Sequence, residues 1–203
     1  MKIALVGATG FIGKYILDEA ITRGHQVTAL VRHTDKVPAS DQVTAQMVDL
    51  NNSAALTDAL AGHDVAILSF RHMFIDLKAL IAAVKASSVA RLIVVGGAGS
   101  LYVAPGIQLI DTPEFPDSWR PLASAAAEFL QELRKEEELN WAYISPSALI
   151  ESGKRTGVFR MGKDDLLIDD NGESRISTQD FALAILDETE NPSHIRTRFT
   201  VGY

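Results

Sequence analysis

The residues best placed to do chemistry come first in the chain. Gly7, Gly10 and Gly13 are spaced Gly-x-x-Gly-x-x-Gly, directly after the apolar run Lys2 to Val6 and directly before a helical pattern. A dinucleotide-binding turn needs that strand-turn-helix context. The first glycine permits the tight turn, the second lets a pyrophosphate approach the backbone, and the third lets helix and strand pack closely. Amides at a positive helix terminus then hold the phosphates, so Thr9, Phe11 and Ile12 belong to the same cradle. Further on, Val31-Arg32-His33 ends a second strand where an acidic residue would bind a ribose 2′-hydroxyl. Arginine suits a 2′-phosphate instead, because its fork pairs with oxyanions. The expected cofactor is therefore NADP(H) in preference to NAD(H), with Asp35, past the strand end, as the alternative acidic residue.

Other chemistries are poorly provided for. The chain has no cysteine, which removes disulfides, thiolate nucleophiles and Cys-based zinc sites. His25, His33, His63, His72 and His194 show no metal-ligand spacing, so no metal is expected. No Gly-x-Ser-x-Gly elbow marks a serine hydrolase.

The elements that must position these residues alternate. Strands are expected at 2–6, 26–31, 43–48, 64–69, 91–95, 140–145 and 198–202. Helices are expected at 11–23, at 53–60 capped by Ser53, and at 75–87, 123–138 and 178–189. Strand-helix alternation implies a doubly wound, mostly parallel α/β sheet, the Rossmann fold, with ligands beyond the carboxyl ends of the strands. The connection from 96 to 121 carries Pro105, Pro113, Pro116 and Pro121. Connections this long inside a compact domain are usually functional. Its rings, Tyr102, Phe115 and Trp119, are candidates for stacking on a flat substrate.

With 203 residues the chain is expected to form one domain, 1–203, with a small substrate-side portion from about 147. A net charge of −7 repels phosphate backbones, so no nucleic-acid partner is expected. No apolar run approaches the roughly 20 residues that span a bilayer. The start, Met1 to Val6, is too short for a signal peptide. The expectation is a cytoplasmic monomer or homodimer that meets a small-molecule acceptor.

The opening glycines, Leu30-Val31-Arg32, Val94-Val95-Gly96-Gly97-Ala98-Gly99-Ser100, Asp111-Thr112-Pro113, Ser145-Pro146 and Arg198-Phe199-Thr200-Val201-Gly202-Tyr203 carry a wider likeness. Over essentially its whole length the chain resembles the atypical short-chain dehydrogenase/reductases grouped as NADH-flavin reductases. That group is similar to the NmrA-like and biliverdin reductase B-like proteins. The resemblance implies that Asp49 and Leu50 lie beside an adenine and that Ser69 and Phe70 line a ribose. It further implies that Gly97 and Pro146 complete the cofactor lining and that Ser100 is the catalytic serine position. The Tyr-x-x-x-Lys pair of the wider superfamily is not matched: Tyr15, Tyr102 and Tyr143 are followed at four by Glu19, Gly106 and Ser147.

Hydride transfer to a flat acceptor needs little beyond ring alignment and exclusion of water. The expected function is thus an NAD(P)H-dependent oxidoreductase acting on a flavin, quinone or similar acceptor, the flavin being substrate rather than resident cofactor. A non-catalytic NADP(H) sensor of the NmrA-like type is the alternative, and a sugar-nucleotide epimerase relative is third.

Overall fold

Residues 1–203 are all described by a computed structural model of the protein. Its elements run β1 (Lys2–Val6), α1 (Gly13–Thr22), β2 (Gln26–Val31), β3 (Val43–Met47), α2 (Ser53–Leu60), β4 (Val65–Leu68), α3 (Leu77–Ala86) and β5 (Arg91–Val95). There follow β6 (Tyr102–Ala104), β7 (Ile107–Gln108), α4 (Arg120–Leu133), β8 (Trp141–Ser145), β9 (Leu149–Glu151), β10 (Arg160–Gly162), β11 (Arg175–Ser177), α5 (Thr178–Glu190) and β12 (Thr197–Gly202).

Eight strands form one sheet in the order β10-β12-β8-β5-β4-β1-β2-β3. All neighbours are parallel except the edge pair β10 and β12. The continuous apolar strands make this possible, because a parallel sheet is covered on both faces. Successive side chains leave a strand on opposite sides. Ile3 and Leu5 of β1 therefore join a core with α1 and α5, while Ala4 and Val6 join a second core with α2, α3 and α4. From β1 the chain order moves outward in both directions, to β2 and β3 on one side and to β4 and β5 on the other. That reversal is the topological switch point, and the crevice opens above it.

Several boundaries differ from the sequence expectation for identifiable reasons. The first helix starts at Gly13, not Phe11, since Phe11 and Ile12 belong to the turn. Asn52, not Ser53, caps α2, its side chain accepting from the Ala55 amide. The helix expected at 123–138 runs over Arg120–Leu133, because Pro121 lies in its first turn, where a missing N–H costs nothing. The 96–121 connection contains the β6–β7 hairpin and two short 3-10 turns. Of the portion after 147, α5 and β12 complete the main core and sheet, while β9 and β11 pair as a small parallel sheet beside it. No helix is long and apolar enough to cross a membrane.

Candidate cofactor site

The glycine turn is shaped by contacts that exclude side chains. Gly7 adopts φ +79°, and a Cβ there would fall 2.0 Å from the carbonyl oxygen of Ser69. A Cβ on Gly13 would fall 2.0 Å from the carbonyl oxygen of Gly7. Gly10 is different: its amide donates to the Gly7 carbonyl at 2.9 Å, and a Cβ would meet that oxygen at 3.1 Å, with the other side open. The backbone amides of Thr9, Phe11, Ile12 and Gly13 have no acceptor within the chain, and α1 has no side-chain N-cap. Free amides at an uncapped helix N-terminus fit a pyrophosphate.

Arg32 extends from the end of β2, which pairs with β1 so that Leu30 lies opposite Val6. It is exposed and makes no ion pair or side-chain hydrogen bond within the chain. Asp49 is also exposed and accepts from the Asn51 amide at 3.0 Å. Leu50 is half-buried against the second core. The two therefore stand at the carboxyl end of β3, on the side of the crevice where Arg32 lies.

At the end of β4, buried Ser69 presents its carbonyl to Gly7, and half-buried Phe70 packs against His72 with ring centroids 5.0 Å apart. His72 packs in turn on Phe129 of α4 at 5.1 Å. Its Nε2 is buried without a partner, and burial pushes the imidazole pKa down to about 4, so the ring is neutral. At the end of β5, a Cβ on Gly96 would overlap the Tyr143 ring at 2.0 Å, and the Gly97 amide donates to the Tyr143 hydroxyl at 3.3 Å. That hydroxyl donates to the Ala126 carbonyl at 2.9 Å. Complete burial raises its pKa well above the ordinary tyrosine range, so it is not a usable proton donor. Pro146 is buried just beyond β8.

The remaining candidates are dispersed. Ser100 is 4% exposed, and its hydroxyl and carbonyl accept from Arg198 at 3.0 and 3.1 Å. Its oxygen thus faces Arg198 in the buried interior. Tyr102 is tied to the segment after β10, its backbone bonded to Asp164 and Leu166. Phe115 is half-buried beneath Arg120, whose guanidinium lies 5.6 Å from the ring centroid. Trp119, at the N-cap of α4, remains 56% exposed. No group of three or more His, Asp or Glu side chains is arranged to hold a metal.

One feature was not legible from the motifs. Tyr15 and Glu19 on α1 clip the segment after β9. The Tyr15 hydroxyl lies 2.7 Å from that of Ser152, and Arg155 donates to both Glu19 oxygens at 2.8 and 2.9 Å. Hydrogen bonds from Ser152 and then Thr178 hold the Tyr15 phenol below its usual pKa range. Buried Asp180 closes the other side, accepting from the Thr156 and Gly157 amides at 2.8 and 2.9 Å. A spacing of four on one helix is the only sequence trace of the clip.

A doubly wound sheet with this glycine cradle at its switch point is a dinucleotide-binding protein. The family profile described as NAD(P)H-binding matches residues 7–192, and the chain belongs to that family. It is 41% identical over 214 residues to the uncharacterized protein YwnB of Bacillus subtilis, covering 99% of this chain and 98% of that one. Among solved structures, a Bacteroides thetaiotaomicron protein described as a candidate epimerase shares 40% identity at a TM-score of 0.95, covering 100% of this chain and 96% of that one. A Streptococcus pneumoniae protein described as a candidate NADH-flavin reductase shares 34% identity at a TM-score of 0.83, covering 100% and 99%. The atypical short-chain dehydrogenase/reductase resemblance and the Rossmann fold are both upheld.

Proposed function

We propose that this protein is an NADPH-preferring reductase that passes a hydride to a flavin, quinone or similarly flat acceptor. The observation that carries the reading is the open cradle of free amides beside Gly10, with the unpaired Arg32 one strand away. The likeness to the pneumococcal candidate NADH-flavin reductase supports the acceptor class.

A bound reduced nicotinamide would supply the hydride, and water the proton, for reduction of the acceptor. The glycine turn would hold the pyrophosphate, and Arg32 would pair with the 2′-phosphate. Asp49 and Leu50 would flank the adenine, while Ser69, Phe70, Gly97 and Pro146 would line the path toward the end of β5. The chain's work is to orient two rings and keep water out, a role that needs no side-chain acid.

The Bacteroides relative raises epimerisation as a second reading. That chemistry normally uses a tyrosine as acid-base group, and Tyr143, the tyrosine in the strand beside β5, has its hydroxyl buried and engaged on both sides. Reduction is the better-supported chemistry.

The test is NADPH consumption by purified protein against a panel of flavins and quinones. Turnover with at least one acceptor supports the reading. Tight NADPH binding without turnover on any acceptor would replace it with the sensor alternative.

A further inference from the structure

Two bare aromatic rings stand just before helices α3 and α4. Phe74 is 90% exposed and Trp119 is 56% exposed. Phe74 lies in the connection after β4, two residues before Asp76, the N-cap of α3. Trp119 occupies the N-cap of α4, after the long connection from β5. Helices α3 and α4 pack side by side on the same face of the sheet, both contributing to the second core. Each follows a strand that runs toward the crevice, so both N-termini lie at the crevice edge. The Phe74 connection is also fastened to α4, through the contact of His72 with Phe129.

Phe74 carries a second anomaly. Its φ is +64°, in the left-handed region. For a bulky residue that conformation is a genuine outlier. The ring buries almost nothing, so neither packing nor local geometry favours phenylalanine here. Strain of this kind concentrates at ligand clamps, where function rather than stability selects the residue.

We infer that Phe74 and Trp119 form a two-sided aromatic clamp for the planar acceptor, with Phe74 the specificity-determining side. The inference rests on the reductase reading and deepens it. Neighbouring helix axes run about 8–10 Å apart. Exposed rings near two adjacent N-termini can approach one flat ring system from its two faces. The clamp selects by planarity and aromatic area, so it favours an isoalloxazine or naphthoquinone over an aliphatic carbonyl compound.

The experiment loads the protein with NADP⁺ and titrates it with FMN and with menadione, for wild type, Phe74→Asn and Phe74→Trp. Asparagine tolerates the left-handed region, so Phe74→Asn relieves strain while removing the ring. The expected result is about tenfold weaker binding of at least one probe, from the lost stacking. NADPH affinity should remain unchanged, and the melting midpoint should rise by about 2–4 °C. Phe74→Trp should restore probe binding. Wild-type binding retained in Phe74→Asn would overturn the clamp and leave the reductase reading intact. A lowered melting midpoint would show the ring to be a packing residue and also overturn the clamp. Wild-type protein that binds neither probe and reduces no acceptor would overturn the reductase reading together with the clamp.

Discussion

Arg198 and Ser100 are joined twice, the same guanidinium nitrogen donating to the serine hydroxyl at 3.0 Å and to its carbonyl at 3.1 Å. The guanidinium also bonds Asp164 through Nε at 2.8 Å. This tie fastens the loop after β5 to β12. Ser100→Ala removes one of the two bonds and should cost about 1 kcal/mol of stability. Turnover should fall by less than about tenfold, because the hydroxyl faces Arg198. Denaturant titration and steady-state kinetics check both. A fall of several orders of magnitude would restore Ser100 to the chemistry.

Arg32→Ala should weaken NADP(H) and leave NAD(H) unchanged. The lost charge-assisted contact is worth about 1.5–3 kcal/mol, or roughly 10- to 150-fold in affinity. Calorimetry with both cofactors measures it. Equal affinity of the wild type for the two would show that Arg32 reads nothing.

Gly10→Val and Gly13→Ala should separate binding from folding. At Gly13 a methyl has nowhere to go, 2.0 Å from a backbone oxygen, so the turn itself must break. At Gly10 the nearest atom is 3.1 Å from the new Cβ, and a shift of a few tenths of an ångström accommodates it. The branched side chain then fills the space a pyrophosphate would take. Gly10→Val should melt cooperatively but lose the cofactor-induced rise in midpoint. A retained rise would place the nucleotide elsewhere.

His72 should make stability depend on pH. Its folded pKa, lowered by burial to about 4, lies below the unfolded value near 6.5. As pH falls below about 6.5 the unfolded chain binds a proton that the folded chain refuses. Stability therefore declines between about pH 6.5 and 4, and this contribution is constant below that range. Between pH 7.5 and 4.5 the loss should be about 2–3 kcal/mol. His72→Phe keeps the ring stack, removes the unpartnered Nε2, and should flatten that part of the profile. Chemical denaturation at the two pH values tests it, and an unchanged slope in the variant would show that other groups set the acid response.

The parts legible in the sequence are those governed by local rules. The glycine spacing required contacts that the fold supplies at Gly7 and Gly13, and strands buried on both faces read directly as apolar runs. Pro121 misled because proline interrupts a helix but is welcome in its first turn. The surroundings of Ser100 were hidden for a different reason. Its environment depends on Arg198, 98 residues away in the sequence, and no local pattern reports such a partner. The burial of His72 and the exposure of Phe74 were equally hidden. Two residues of one short connection face opposite environments, and only the packing of α4 decides which ring goes inside.

The clip from α1 to the segment after β9 gives the molecule a route for slow local motion. That segment opens only if the Tyr15–Ser152 and Glu19–Arg155 contacts release from the helix whose N-terminus forms the phosphate cradle. Steadying this helix raises the free energy of such opening, which amide hydrogen exchange reads directly. Saturating NADPH should then slow exchange at Thr156 and Gly157, on the far side of the clip. Arg155→Ala should erase most of that protection while leaving the protection of the cradle amides in place.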